Sequence, residues 1–275
     1  MRKEEIKKKV VSAYGRIAKG EGTCSCGSGC NTDATRFAKS VGYSDEELRN
    51  IPKEANLALS CGNPTAHASL RKGETVLDLG SGAGFDCFLA AAKVGARGKV
   101  IGLDMTPEMI DKARKNAKKW KASNVEFRLG EIENLPIEDE SIDVIISNCV
   151  LNLSPDKAKA FKEAYRVLKQ GGRIAISDIA LTDELPERVR RNIEAYVGCI
   201  GGALLIDDYK KVVEEAGFRG VKITVKSASS CIDSDTKDPL GRALLESLGD
   251  KGSLIGRVVS VYVEGHKKLY DETTR

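Results

Sequence analysis

The run VLDLGSGAGFD, Val76–Asp86, decides the fold. Val76, Leu77 and Leu79, with Asp78 among them, read as a buried parallel strand, which is apolar on both faces. Gly80-Ser81-Gly82-Ala83-Gly84 comes next, and Phe85–Val94, rich in Ala and Leu, predicts a helix. A strand, a glycine turn and a helix make a nucleotide-binding start, because small residues let a ligand lie against backbone at the helix N-terminus. The dinucleotide pattern G-x-G-x-x-G would place its third glycine where Phe85 stands. This chain instead has G-x-G-x-G preceded by an acidic residue, Asp78.

The glycines gain meaning from the strands downstream of them. Lys99–Asp104 (KVIGLD) is a second strand ending in a carboxylate, 20 residues beyond Gly84. An acidic side chain there accepts both ribose hydroxyls of a nucleoside. Val125–Leu129, Ile142–Asn148 and the end of Leu168–Asp178 are further strands, the last entered through a Gly-Gly turn. Strands alternating with helical segments predict a parallel α/β sheet with helices on both faces. Gly220–Ser227 and Val258–Gly265 are the final strands and predict an antiparallel edge, giving seven strands. This glycine pattern, with its acidic partners, resembles the S-adenosylmethionine-dependent methyltransferases of class I, a Rossmann-like fold.

The composition sets bounds. At 275 residues and 41% hydrophobic content, the chain accommodates one large domain with appendages. Lys+Arg 44 against Asp+Glu 40 leaves only +4, too balanced to argue for nucleic acid. No apolar run has the length of a membrane span, and MRKEEIKKKV lacks a signal core, so a cytoplasmic protein and a monomer are expected. Eight cysteines are more than packing needs, which points to metal, redox or catalytic use.

Around the core, Lys3–Ala18 is an amphipathic helix with Tyr14 on its apolar side, read as a cap. Cys24, Cys26 and Cys30 share a glycine-rich loop without the paired C-x-x-C ligands of a closed zinc site. They read as a thiol cluster for a soft ion or disulfide exchange, or as incidental thiols. Ser44–Asn50 and Pro52–Leu59 predict short helical turns leading to Ser60-Cys61-Gly62-Asn63-Pro64. Cys87 reads as a small core residue. Leu185–Tyr196 predicts one helix before a glycine-lined Cys199, and Tyr209–Ala216 another, ended by Gly217. Residues 1–70 are expected to cap the site and 71–227 to form the cofactor core, with a roof near 180–210. Residues 228–275, with Cys231 and a helix over Leu240–Leu248, are expected to add an insertion and the last strand.

One family is resembled more closely: the arsenite S-adenosylmethionine methyltransferases. The match is carried by GSGAGFDC (Gly80–Cys87), LDMT (Leu103–Thr106), SNCVLNLSPDK (Ser147–Lys157), EAYRVLKQGG (Glu163–Gly172) and GCIGGAL (Gly198–Leu204), with SCGNP at Ser60–Pro64. It runs from about Val11 to Phe218, and SNCVLNL with GCIGGAL is its most specific part.

The resemblance implies arsenic-binding thiols at Cys61, Cys149 and Cys199. Trivalent arsenic is soft and prefers thiolate ligands. Arsenic is itself the nucleophile, so no general base is needed, in keeping with the absence of a His–Asp or paired-carboxylate motif. The family's cycle implies re-reduction of arsenic by thiols, with Cys30, Cys24 or Cys26 pairing with Cys61. An external reductant of thioredoxin or glutathione type then resets the enzyme. For the cofactor, Gly80, Gly82 and Gly84 with Ser81 are expected to approach the methionine and ribose. Asp104 is expected on the ribose, and Met105 and Thr106 beside the adenine. Glu131 and Ile132 are expected at the adenine amino group and ring, and Asn148 and Tyr14 at the methionyl end. Asp78 orients the turn. The acceptor implied is arsenite or its thiol conjugate, for detoxification, with neither nucleic acid nor membrane as a partner. Competing readings are a methyltransferase of a small organic carbon acceptor and a thiol-based metalloid-sequestering protein, with Cys149 and Cys199 as plain buried cysteines in the first.

Overall fold

The computed structural model describes residues 2–21, 34–228 and 256–269. In chain order it has α1 (Lys3–Lys19), α2 (Ala34–Ser40), α3 (Asp45–Arg49) and α4 (Pro64–His67). The core continues as β1 (Thr75–Leu79), α5 (Phe85–Val94), β2 (Lys99–Asp104), α6 (Pro107–Trp120), β3 (Val125–Leu129) and β4 (Ile142–Asn148). Then come α7 (Lys157–Val167), β5 (Leu168–Leu181), α8 (Glu187–Arg190), α9 (Ile193–Val197), α10 (Ile206–Glu215), β6 (Arg219–Ala228) and β7 (Val258–His266). Among the described residues, no helix is long and apolar enough to cross a membrane.

The seven strands form one sheet in the order β3-β2-β1-β4-β5-β7-β6. β1 through β5 pair in parallel, and β7 runs antiparallel to both β5 and β6. The expected antiparallel edge is therefore β7, inserted between β5 and the outermost β6. Alternation along β1 divides the core. Leu77 and Leu79 pack on one face with Phe161, Tyr209 and Phe218. Val76 packs on the other with Phe85, Phe88 and Ile110 from α5 and α6. Burial on both faces is what a parallel strand requires.

Four local departures from the sequence expectation have physical causes. The span expected as one helix over 185–196 is split into α8 and α9, because the Asn192 side chain accepts from Ala195 N–H and starts a new helix. α2 forms where the sequence carries no strong apolar period. α4 starts at Pro64, with the Asn63 side chain capping Ala66 N–H, where only a turn was expected. β5 begins directly after α7, and the register shift between Ile142 and Val144 absorbs the Gly171–Gly172 turn. The loop cysteines Cys24, Cys26 and Cys30, and the insertion with Cys231 and Leu240–Leu248, lie outside the described residues.

Candidate active site

β1 and β4 are neighbours, and their carboxyl ends open an edge on which the glycine turn sits. Gly80 (φ 69), Gly82 (φ 53) and Gly84 (φ 94) all adopt left-handed backbone, which explains three glycines in five residues. A Cβ on Gly80 would lie 2.2 Å from Val150 Cγ2. Gly84 faces away from the ligand side, since its Cβ would meet Phe127 and Phe88. The Cβ side of Gly84 is thus also where α5 packs on β3, beside its expected backbone approach to a cofactor.

An open cavity of about 1020 Å³ lies above this turn. Gly80, Ser81 and Gly82 line it from β1, Asp104, Met105 and Thr106 from β2, and Ile132 from beyond β3. Asp78, Asn148 and Cys149 line its floor side, and Lys7, Val10 and Tyr14 of α1 cover it. Asp104 Oδ2 accepts from Gly82 N–H at 2.9 Å, and Oδ1 accepts from Thr106 N–H at 2.8 Å. The carboxylate is pinned in place while keeping further lone pairs. Burial raises its pKa, opposed by those backbone hydrogen bonds.

Glu131, expected at the adenine, does not line the cavity. It forms a β-bridge with Asn134 and pairs with Lys7 at 2.6 Å. Its neighbour Glu133 lines the cavity instead, accepting from Ser154 Oγ at 2.6 Å and pairing with Lys7 at 3.3 Å. Burial lowers the Lys7 pKa, but the two glutamates outweigh it and leave it raised. α1 also joins the body through Lys3–Asp156 and Lys19–Glu108 ion pairs.

A polar network missed in the sequence lies under the glycine turn. Asp86 accepts from Tyr43 Oη at 2.8 Å and from Asn148 Nδ2 at 3.0 Å. Burial pushes its pKa up to about 6, against the pull of Asn148 and Tyr43. Asp78 accepts from the Cys87 thiol at 3.1 Å, and burial, with the Asp86 charge second, holds it well above the usual carboxylate range. Cys87 is therefore more than filler: it is the hydrogen-bond donor to the acidic residue that begins the motif.

The three cysteines of the family resemblance converge. Cys61, Cys149 and Cys199 are all buried in one cluster with Val10, Leu153 and Tyr196, and Cys149 lines the cavity. Each arrives on a different connection. Asn148 clamps the Cys61 turn by accepting from Cys61 N–H (3.0 Å) and donating to Gly62 O (2.8 Å). Cys149 N–H donates to Ser177 O at 2.9 Å, and Cys199 sits just past α9. Cys149 (φ 58) and Cys199 (φ 66) both hold left-handed backbone, sparsely populated for a side chain of this kind. The Cys199 thiol donates to Cys149 O at 3.3 Å and lies 3.8 Å from Tyr14 Oη.

Cys61 and Cys149 are joined by a disulfide with Cα atoms 6.0 Å apart. In this structure Cys61 is bonded to Cys149; the loop cysteines Cys24, Cys26 and Cys30, which the resemblance implies as partners of Cys61 during the cycle, lie outside the described residues. The clamp at Asn148 sets the Cys61 turn beside the end of β4, next to Cys149. Two further groups flank this cluster. Asp178, fully buried, accepts from Asn152, Ile179 N–H and Tyr209 Oη, and burial pushes its pKa up to about 7. Burial lowers Lys157 to about 8, while Asp178 and Cys199 pull it upward.

Two observations test whether a nucleoside-bearing methyl donor fits here. Ser81 Oγ is buried near the Cys87 thiol, and among the described residues it completes no hydrogen bond of normal geometry. A Cβ on Gly82 would meet nothing closer than Met109 Sδ at 4.0 Å, so backbone is open to the cavity there. An orphan hydroxyl, an open glycine and a pinned carboxylate suit a methionine–ribose unit.

The fold and this cavity define the class: a class I S-adenosylmethionine-dependent methyltransferase fold. Residues 70–217 match the family model described as a methyltransferase domain. The chain is 49% identical over 243 residues to an arsenite methyltransferase of Halobacterium salinarum, covering 84% of this chain and 62% of the relative. It is 37% identical to the human arsenite methyltransferase, covering 79% and 59%. The crystal structure of an arsenic(III) S-adenosylmethionine methyltransferase from Chlamydomonas reinhardtii superposes with a TM-score of 0.59 at 31% identity, covering 88% of this chain and 75% of that one. The chain belongs to the arsenic(III) S-adenosylmethionine methyltransferase family. It spans about three-fifths of the length of the curated relatives it matches.

Proposed function

We propose that this protein methylates trivalent arsenic held by the thiolates of Cys61, Cys149 and Cys199. The observation that carries this is the convergence of three cysteines, from three connections, in one buried cluster beside the glycine-turn cavity. A three-coordinate soft centre needs three sulfurs and nothing harder. S-adenosylmethionine, when bound, supplies an electrophilic methyl group on a sulfonium. Ser81, the Gly82 backbone and Asp104 would hold it, with Met105 and Ile132 against its ring and α1 closing over it. Arsenite brings its own lone pair, so the chain needs no general base. Its residues bind, orient and exclude water.

Cys61 and Cys149 ligate only after their disulfide is reduced. Two electrons and two protons from an external dithiol or glutathione open it, and the reductant leaves as its own disulfide. We place the reaction in the cytosol, where such thiols are abundant, and read its purpose as arsenic detoxification.

The test is purified protein with S-adenosylmethionine, arsenite and excess thiol, read for methylated arsenic by chromatography with element-specific detection. Wild type runs beside Cys149→Ser and Cys199→Ser. Product from wild type and none from either variant supports the reading. Bound arsenite without product turns it toward sequestration, and neither product nor binding turns it toward an organic acceptor.

A further inference from the structure

The resemblance accounts for three sulfurs, but the buried cluster contains a fourth donor of another kind. Ligand atoms of Cys61, Cys149 and Asp178 all lie within 4.8 Å of one another. Asp178 lies on β5, where nothing in the sequence distinguishes it from any strand-end aspartate. Its carboxylate is held by three hydrogen bonds: Oδ1 accepts from Asn152 Nδ2 (3.0 Å) and Ile179 N–H (2.9 Å), and Oδ2 accepts from Tyr209 Oη (3.0 Å). The Asn152 backbone also favours the charged carboxylate, so its oxygens are oriented by the donors around them and a cation would bind one of them in place of a donor. Outer donors of this sort orient a metal-binding carboxylate.

A second observation points the same way. Asn152 Oδ1, on the side chain that holds Asp178, is buried and has no hydrogen-bond donor among the described residues. A water molecule bound to a cation supplies such a donor. Trivalent arsenic held by three thiolates has its three bonds filled by the softer donors it prefers, so the Asp178 oxygen has no place among them. Two thiolates, a carboxylate and a water are instead the ligands of a tetrahedral divalent ion of the zinc type.

We infer that, with the disulfide reduced, Cys61, Cys149 and Asp178 form a site for a thiophilic divalent cation, zinc in the first place, which competes with the metalloid. As zinc binds, two thiols lose their protons to water, two zinc–sulfur bonds form, and Asp178 adds one oxygen. Zinc–sulfur bonds of about 2.3 Å in a tetrahedron set the two sulfurs roughly 3.8 Å apart, a separation they reach only once their disulfide is opened, with Asp178 within 4.8 Å of both. The inference rests on the proposed reading in taking Cys61 and Cys149 as reducible ligands, and does not need methyl transfer. Cys199 takes no part in it, which separates the two sites: they share two sulfurs and differ in the third donor.

The experiment uses the full chain, reduced with a phosphine and desalted without air, and zinc chloride alone. Zinc is titrated against a chromophoric chelator, and arsenite binding and methylation are measured on the same preparations. Wild type and Cys199→Ser are expected to hold one zinc per chain, while Cys199→Ser loses arsenite methylation. Cys61→Ser and Cys149→Ser are expected to lose zinc, and Asp178→Asn to bind it at least about tenfold more weakly while retaining arsenite. Cobalt in the reduced wild type provides a reading free of any variant: charge-transfer intensity for two thiolates is expected. Intensity for three thiolates, zinc affinity unchanged by Asp178→Asn, or no zinc retained by wild type each overturns the inference. Failure of arsenite methylation with zinc binding intact overturns the proposed function alone.

Discussion

The side chain of Asn148 bridges Cys61 and Asp86: its Oδ1 accepts from Cys61 N–H at 3.0 Å, and its Nδ2 donates to Asp86 Oδ2 at 3.0 Å. One amide thus couples the turn that carries Cys61 to the network under the glycine turn. Asn148→Ala leaves Cys61 N–H and Gly62 C=O without these partners. The expected cost is about 2–3 kcal/mol of stability, read by urea unfolding. In turnover, KM for arsenite is expected to rise about tenfold or more. A variant with wild-type stability and KM would show that the clamp has no part in holding Cys61.

The glycine turn separates folding from ligand binding. Gly80→Ala would push a methyl group to 2.2 Å from Val150 in a left-handed conformation, and should cost at least about 2 kcal/mol. Gly82→Ala has open space and only the conformational cost of about 1 kcal/mol. Its Cβ enters the cavity, so affinity for S-adenosylhomocysteine should fall about tenfold by calorimetry, with the thermal midpoint little changed. Equal melting behaviour in the two variants, or unchanged affinity in Gly82→Ala, contradicts these roles.

Asp86 gives a signed pH dependence. Its pKa is pushed from 3.8 up to about 6. Across that interval the folded chain keeps a proton that the unfolded chain has released. The stabilisation from protonation is complete below pH 3.8 and is lost as pH rises through about 6. Asp86→Asn cannot titrate. The stability of wild type minus that of the variant should therefore fall as pH rises through this window and flatten above it. Urea unfolding at a series of pH values measures the slope, and a difference that rises with pH would mean the folded-state pKa is depressed instead.

The disulfide predicts a redox requirement. Alkylation and peptide mapping without reductant should leave Cys61 and Cys149 unmodified and linked. After reduction both should label, and one arsenite should bind per chain. Arsenite bound with equal affinity by the oxidised chain would exclude the two residues as ligands.

How far the sequence could be read depends on the physics of each feature. β1 was legible because a parallel strand buried on both faces writes itself as a continuous apolar run, and the turn because left-handed backbone selects glycine. Cys149 and Cys199 could be singled out only through the motifs around them; their meeting depends on β4 and β5 being neighbours. The Tyr43–Asp86–Asn148 network joins positions 43, 86 and 148 through space, and no local period marks it. Glu131 and Glu133 look alike in the sequence, and the bridge to Asn134 decides which one meets the cavity. Asp178 was invisible for the same reason: its chemistry lies in the sulfurs brought beside it.

The three cysteines stand on separate connections, 88 residues apart from the first to the second and 50 from the second to the third. On the proposed reading, arsenic gripped by all of them would be a staple across three loops as well as a substrate. Arsenic in its trivalent state has three bonds to share. On that reading each methyl transfer takes arsenic to the pentavalent state, and once two thiols return it to the trivalent state and leave as a disulfide, the methyl group fills one of its three bonds, so monomethylated arsenic would tie two loops and dimethylated arsenic one. The mechanical hold of the protein on its product would then loosen with each methyl group added.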